Sequence, residues 1–245
     1  MKIFHLFFRI VLLGGTLLNP AAGADREIHQ RLVLKGNNPH SPTIALTLDA
    51  CSGLFDQKLM QFLVQERIPA TLFLTKKWIA KNPQGVAFLH KNRDLFAIEN
   101  HGSQHIPAVI GAGKKVYGIQ GHRELADLQR EVEDGAKAIT DTFGTPPRWY
   151  RAATARYDEK ALAEIEKLGF QIAGFSVNVD AGATLSARSI VRRLHSVQAG
   201  DVLLAHMNHP ASGTAQGLLE GLPLLRRNGF IFVRLDSEEV RSILP

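Results

Sequence analysis

The stretch Thr43–Gly53, TIALTLDACSG, decides the fold of this 245-residue chain. Its first six residues form a short, predominantly apolar run, which is typical of a buried strand. The run ends on Asp49, which is followed by an alanine and by Cys51, the single cysteine of the chain. A carboxylate at the end of a buried strand loses hydration unless a metal, a hydrogen-bond network or a substrate compensates for it. Asp49 is therefore the first candidate for chemistry.

Short apolar runs and longer amphipathic segments alternate along the rest of the chain. The runs are rich in β-branched and aromatic residues, and the amphipathic segments have apolar residues three and four apart, several of them ending at a glycine. The predicted strands are Thr43–Leu48, Ala70–Leu74, Phe96–Glu99, Trp149–Arg151, Ile172–Val177, Asp201–Ala205 and Phe230–Leu235. The predicted helices are Asp56–Glu66, Glu124–Phe143, Glu159–Leu168, Ala187–Val197 and Gly217–Arg227.

This alternation predicts a parallel sheet, either open and doubly wound or closed into a barrel. Polar residues that follow the strand ends favour the barrel, because a barrel gathers all strand ends around one mouth, whereas an open sheet would scatter them. We therefore predict a distorted, incomplete (β/α) barrel of about seven parallel strands. The polar residues at the strand ends are Asp49, His101, His105, Arg151, Asp180 and His206.

The first residues have the pattern of a secretory signal peptide. Lys2 and Arg9 flank an apolar run, and Ala22-Gly23-Ala24 supplies small residues at the spacing of a cleavage site. The alternative, a membrane anchor, is disfavoured because a span needs about 20 apolar residues. We expect residues 1–24 to be removed, leaving residues 25–245 as a single domain that is secreted into the periplasm without stable membrane insertion.

Composition narrows the classes of partner. The net charge of +6 suits an anionic polymer or surface, and is equally typical of an ordinary basic secreted protein. Nucleic acid is disfavoured because no basic stripe interleaved with aromatic residues is found in the sequence. The single cysteine excludes an internal disulfide framework.

The segment NHGSQH, residues 100–105, indicates a metal site. His101 and His105 lie four residues apart, a spacing that can present both imidazoles to one zinc ion. Two histidines in a polar loop are also common on protein surfaces. The placement of Asp49 at the same barrel mouth favours the metal interpretation.

Three further residues have side chains suited to a catalytic site. His206 ends a strand and could transfer protons near neutral pH, or serve as a hydrogen-bonded core histidine. Arg151 could hold a carboxylate ionised through a two-pronged hydrogen bond. Asp180 could tune His206 or open a turn.

Five motifs, LTLD, HGSQH, YRAATARYD, FSVNVDAGA and LLAH, occur in this order over nearly all of the chain beyond residue 24. Their succession resembles the polysaccharide deacetylase family, whose NodB-type domain is a distorted seven-stranded (β/α) barrel. The resemblance implies that His101 and His105 bind Zn²⁺ or another divalent ion. It also implies Asp49 as catalytic base, Arg151 as its orienting partner and His206 as acid.

The chain departs from the family pattern at the metal site. Where the family has a second, metal-binding aspartate, this sequence has Ala50. Three arrangements are open: Asp49 is the base and water completes a two-histidine site; Asp49 becomes the third ligand; or Cys51 donates a thiolate. The first is favoured, with Asp49 also able to reach the ion, and Ala50→Asp is then expected to tighten metal binding.

The resulting functional prediction is a metal-dependent hydrolase that removes N-acetyl groups from a carbohydrate polymer or cell-wall sugar. Two alternatives remain. One is a catalytically silent carbohydrate-binding protein of the same fold, and the other is an amidase acting on a small N-acyl substrate. A pure binder would need no acid–base set, whereas few aromatic residues near the predicted mouth favour a small substrate.

Overall fold

The computed structural model describes residues 27–35 and 41–243, so the predicted signal peptide lies outside the described residues. Strands and helices alternate through these ranges, as predicted. The strands are β1 (Arg31–Leu34), β2 (Thr43–Ala50), β3 (Ala70–Leu74), β4 (Phe96–Asn100), β5 (Lys115–Val116), β6 (Ile119–Gln120), β7 (Trp149–Tyr150), β8 (Gln171–Ile172), β9 (Val177–Asn178), β10 (Val202–His206), β11 (Ile231–Val233) and β12 (Val240–Ile243). The helices are α1 (Gln57–Gln65), α2 (Lys76–Lys81), α3 (Pro83–Lys91), α4 (Leu125–Phe143), α5 (Glu159–Lys167), α6 (Ala187–Leu194) and α7 (Gly213–Arg227).

A curled parallel sheet forms the centre of the described structure. Its strands follow the order β8-β7-β4-β3-β2-β10-β9, and β11 pairs with the first half of β2. Every recorded pairing in this sheet is parallel. The seven strands of the main path curl into a half-barrel, which confirms the predicted incomplete (β/α) barrel.

Strand β2 contributes to two apolar cores, one between the sheet and the helices and one inside the curl of the sheet, because its side chains alternate between its faces. Ile44, Leu46 and Leu48 pack outward in the apolar cluster that includes Leu63 of α1 and Leu222 of α7. Between them, Ala45 contributes to the apolar cluster inside the curl. This alternation sends the side chain of Asp49 into the barrel.

The sheet is interrupted between β8 and β9, where a single strand Ile172–Val177 was predicted. That prediction is wrong, because Gly174 lies against the backbone of Gln30: a Cβ atom built on Gly174 would stand 1.9 Å from the Gln30 carbonyl oxygen. The chain entering β1 runs along this gap, with Phe175 N–H donating to the same carbonyl at 3.3 Å. The gap is what leaves the barrel incomplete.

Strands β1 and β12 form an antiparallel pair at the end of the barrel where the parallel strands begin. Leu34 N–H donates to the Gly200 carbonyl, just before β10, and Leu32 and Leu34 pack with Val202 and Leu235. This apolar plug leaves the opposite end, where the parallel strands finish, for polar residues.

Helix α4 is the longest described helix and matches the predicted segment Glu124–Phe143 closely. It begins with a capping box between Glu124 and Asp127 and ends at Gly144, whose φ of 76° is left-handed. Its buried face packs against the strand that precedes the HGSQH loop. Among the described residues, no helix combines the length and apolarity needed to cross a bilayer.

Candidate active site and metal centre

A cleft of about 600 Å³ opens where the parallel strands end. Four predicted site residues line it, and the other two are fully buried behind it, each in contact with one of the four. The structure therefore brings all six predicted residues together, while the role of each remains a prediction. The lining residues are Asp49, His101, His105 and His206, and the buried ones are Arg151 and Asp180.

Asp49 and Arg151 form a buried ion pair at the floor of the cleft. The Arg151 Nη1 group donates to Asp49 Oδ1 at 2.7 Å, and the second oxygen, Oδ2, lies 3.5 Å from His101 Nε2. Burial alone would raise the pKa of Asp49, but the positive charge of Arg151, joined by that of His101 whenever this imidazole is protonated, outweighs burial, so this pKa lies below its ordinary value. Asp49 is thus held as a carboxylate.

Arg151 contacts the carboxylate through one nitrogen only, so the predicted two-pronged bond is wrong. Its Nε and Nη2 groups instead donate at 3.1 Å to the carbonyls of Ala173 and Gly174, where β8 ends. The guanidinium also stacks on Phe73, 4.1 Å from the ring centroid. Arg151 therefore ties the broken edge of the sheet to Asp49.

His101 is oriented by the backbone. Its Nδ1 atom lies 2.6 Å from the carbonyl oxygen of Arg151, so Nδ1 carries the proton and donates it. This leaves Nε2 facing Asp49 and Cys51, with Cys51 Sγ at 3.5 Å. Metal-binding histidines commonly donate their other ring N–H to such a carbonyl.

His105 is positioned by Glu131, a residue of α4 that sequence reasoning missed. The buried Glu131 carboxylate accepts from the backbone N–H groups of Gln104, His105 and Ile106, at distances of 2.8–3.2 Å. Gly102 permits this approach, because a Cβ atom there would stand 2.4 Å from Glu131 Oε1. The helical pattern signals Glu131 only as a charge on the buried face of α4.

The side chain of Cys51, and not that of Ala50, lies beside the histidines. Ala50 is fully buried on the helix side of β2, in the apolar cluster that contains Leu74 and Trp78. An Ala50→Asp substitution, which the sequence analysis expects to tighten metal binding, would place a carboxylate in this core at a cost in desolvation, and its effect on metal binding stays a prediction. Cys51, one residue later, lines the cleft.

His206 and Asp180 form a second polar pair across the cleft. His206 Nδ1 lies 3.0 Å from Asp180 Oδ1, and Asp180 Oδ2 accepts from the His206 backbone N–H and from Thr214 Oγ1, both at 2.9 Å. Burial lowers the pKa of His206, but the hydrogen bond and the charge of Asp180 raise this pKa by more than burial lowers it. The pKa of His206 therefore lies well above its ordinary value. Of the two predicted roles of Asp180, tuning His206 fits this contact.

A small hairpin, β5–β6, borders the cleft and carries Tyr117 at its tip. Tyr117 is 74% exposed, and its hydroxyl lies 3.2 Å from Arg156 Nη2. Both side chains line the cleft, and His209 lines it too, exposed as predicted. Sequence reasoning missed Tyr117, whose only signal was an aromatic residue in a glycine-rich loop.

Comparison with known proteins identifies the family. The family model for polysaccharide deacetylase matches residues 36–173, more than half of the chain. The chain belongs to the polysaccharide deacetylase family. The matched range ends before Asp180 and His206, so the placement of this pair rests on the structure alone. No curated protein sequence matches the chain.

Solved deacetylase-family structures share the fold at low sequence identity. A peptidoglycan N-acetylglucosamine deacetylase, Bc1960, aligns with a TM-score of 0.68 and 23% identity, covering 82% of this chain and 89% of its own. An acetyl xylan esterase from Clostridium thermocellum, solved with a cobalt ion, aligns with a TM-score of 0.65 and 17% identity, and the alignment covers 80% of this chain and 89% of the esterase chain. A CE4 family pseudoenzyme from Bacillus anthracis aligns with a TM-score of 0.64 and 16% identity, and the alignment covers 82% of this chain and 66% of the pseudoenzyme chain.

The donor atoms in the cleft fit a divalent metal, on which this family generally depends. One donor atom each from Cys51, His101 and His105 lies within 4.8 Å of the others. Imidazole nitrogen and thiolate sulfur are ligands that zinc accepts, and three protein ligands leave a position for water or substrate. The predicted pair His101 and His105 thus lies in one candidate metal centre.

Proposed function

We propose that this chain is a metal-assisted hydrolase that removes N-acetyl groups from an N-acetylated polysaccharide. The observation that carries the proposal is the placement of two separate acid–base pairs, Asp49 with Arg151 and His206 with Asp180, around one cleft that also holds the histidine pair. Membership of the polysaccharide deacetylase family supports hydrolytic deacetylation.

The two pairs would have different tasks. Asp49, kept ionised by Arg151, would accept a proton from the attacking water as general base. His206, held by Asp180 through Nδ1, would present Nε2 to the substrate and protonate the departing amine. Amines leave poorly without a proton, so this acid is chemically required. A divalent ion held by His101 and His105 would polarise the acetyl carbonyl and acidify the water.

Acetate release tests this proposal. Purified protein is incubated with peptidoglycan, chitin oligomers and poly-N-acetylglucosamine, with and without added Zn²⁺. We expect release from at least one polymer, and a loss of about 10²–10⁴-fold in kcat for His206→Ala. Lys137→Ala, on the exposed face of α4, is the matched control and should leave kcat unchanged. Absence of acetate from every substrate would contradict the proposal.

A second candidate, hydrolysis of a small N-acyl compound, is favoured by the size and lining of the cleft. A volume of about 600 Å³ is ordinary for a small-molecule site. Among the described lining residues, only Tyr117 and Phe175 are aromatic apart from histidines, which is little for a stacking platform along a sugar chain. Acetate release from N-acetylglucosamine monomer, but from no polymer, would select this candidate.

We also propose that the protein works after export to the periplasm. The support is the sequence of residues 1–24, with its basic start, short apolar run and Ala22-Gly23-Ala24. N-terminal sequencing of exported protein should give a start near Asp25. An intact Met1 in a membrane fraction would contradict this proposal.

A further inference from the structure

We infer that Cys51 is the third protein ligand of the metal centre, so that the site holds its ion through one thiolate and two imidazoles. The inference deepens the proposed metal-assisted function and rests on it for its purpose. Its basis is the grouping of one donor atom each from Cys51, His101 and His105 within 4.8 Å. Cys51 Sγ lies 3.5 Å from His101 Nε2, the nitrogen left free by the backbone bond of Nδ1.

Strand alternation explains why the ligand is residue 51. Side chains two residues apart on a strand share a face, so Cys51 continues the inward face of Asp49 while Ala50 faces the helices. The loop carrying Cys51 is held in place from two sides. Thr75 N–H donates to the Ala50 carbonyl at 3.2 Å and its hydroxyl donates to the Cys51 carbonyl, while Asn208 Nδ2 donates to the Ser52 carbonyl.

A sulfur ligand leaves Asp49 available as the base. Oδ1 of Asp49 is engaged by Arg151, and a third ligand from Cys51 completes the three-ligand set without the aspartate. Of the three arrangements open from the sequence, the geometry thus points to the thiolate. A thiolate and two imidazoles favour Zn²⁺ and Co²⁺ over Mg²⁺ and Mn²⁺, which prefer oxygen ligands.

Cobalt spectroscopy tests the ligand directly. Reduced, metal-free protein is titrated with Co²⁺ and its absorption spectrum recorded. Because Cys51 is the only cysteine, any sulfur-to-cobalt charge-transfer band in the near ultraviolet belongs to it. We expect one bound Co²⁺ per chain with this band, and displacement of the cobalt by Zn²⁺ but not by Mg²⁺.

Two variants at position 51 test whether metal binding depends on the sulfur atom of Cys51 or only on a side chain that fills its place. Cys51→Ser should lose the band and bind Co²⁺ at least about 100-fold more weakly, since even loss of an outer partner of a ligand costs about 10–100-fold. Cys51→Asp should keep cobalt, lose the band and gain relative affinity for Mn²⁺. Ala50→Ser, which places the same hydroxyl one residue earlier, is the matched control and should keep both band and affinity.

The outcomes distinguish the failure of Cys51 as a metal ligand from the failure of the proposed hydrolase activity. Cobalt bound by the parent without the band, unchanged affinity in Cys51→Ser, or no binding of either metal would overturn Cys51 as a ligand. Acetate release in any of those cases would leave the proposed hydrolase standing. A band lost only in the Cys51 variants, with no acetate released from any substrate, would uphold the ligand and remove the proposed activity.

Discussion

His206 is held from behind by Asp180, whose two carboxylate oxygens lie 3.0 and 3.2 Å from its Nδ1 atom. Asp180 is itself fully buried and accepts further hydrogen bonds from Thr214 Oγ1 and the Gly182 backbone N–H. A carboxylate fixed in this way sets both the tautomer and the direction of the imidazole. The pair is therefore built to point His206 Nε2 into the cleft.

The first prediction follows from this contact. Asp180→Asn should lower kcat for acetate release by at least about tenfold, because the amide cannot stabilise a protonated imidazole as a carboxylate does. KM should change little, since Asp180 does not line the cleft. Steady-state kinetics check both values, and a melting temperature near that of the parent shows that the fold is kept. A raised KM with unchanged kcat would contradict the positioning role.

The second prediction concerns Glu131 and the loop that carries His105. Glu131→Ala leaves three backbone N–H groups without their acceptor, which should cost roughly 3 kcal/mol of unfolding free energy. Loss of the loop position should also weaken Co²⁺ binding about 10–100-fold. Glu133→Gln, exposed on the same helix, is the control and should change neither value. Chemical denaturation and cobalt titration measure the two effects, and unaltered cobalt affinity would refute the supporting role.

The third prediction is a pH dependence of stability that arises from Glu99, a residue that does not line the cleft. Glu99 is buried, and burial raises its pKa to about 7 although the Arg148 and Trp149 backbone N–H groups donate to it. Its folded-state pKa lies above the unfolded value, so its stabilising contribution is complete below about pH 4.5 and falls as the pH rises through about 7. The loss approaches about 3 kcal/mol.

Urea unfolding at pH 5 and pH 8 measures this effect. Glu99→Gln keeps an oxygen that can accept both N–H groups but has no proton to lose, so its stability should fall less between the two pH values than that of the parent. His122, buried with its pKa lowered by burial to about 4, is common to both proteins and cancels in the comparison. Equal pH slopes in the two proteins would show that Glu99 ionises in the folded protein with the same pKa as in the unfolded chain, which would contradict the prediction.

Local sequence signals were enough for the sheet but not for its interruption. Ala70–Leu74 was predicted to the residue, because a continuous apolar run lies between polar segments. The strand Ile172–Val177 was wrong, since its break depends on the Gln30 backbone, more than 140 positions earlier. Strands β1 and β12 were missed for the same reason: each is short, and its pairing partner is about 200 residues away.

The candidate site was predictable in its residues but not in its supports. Strand ends in a barrel meet at one mouth, so Asp49, His101 and His206 could be placed together from the chain alone. Glu131 binds only loop backbone, and no residue type in the loop signals that contact. Cys51 was weighed below Asp49 because only the structure shows that Ala50 belongs to the apolar core and that both histidines face the sulfur.

The last prediction concerns substrate contact at the β5–β6 hairpin. Tyr117 is a large, exposed side chain of the cleft whose hydroxyl lies beside Arg156, so its ring can pack on a sugar face that reaches beyond the candidate metal centre. Tyr117→Ala should raise KM about threefold to tenfold for oligomers, corresponding to a ring contact of roughly 1 kcal/mol, and leave kcat nearly unchanged. Ile119→Ala removes an exposed apolar side chain from the same hairpin outside the cleft and should leave KM as it is. Kinetics on chitin oligomers of increasing length measure both variants. A fall in kcat at unchanged KM would place Tyr117 in the chemical step, and equal effects of the two substitutions would assign the change to the hairpin fold.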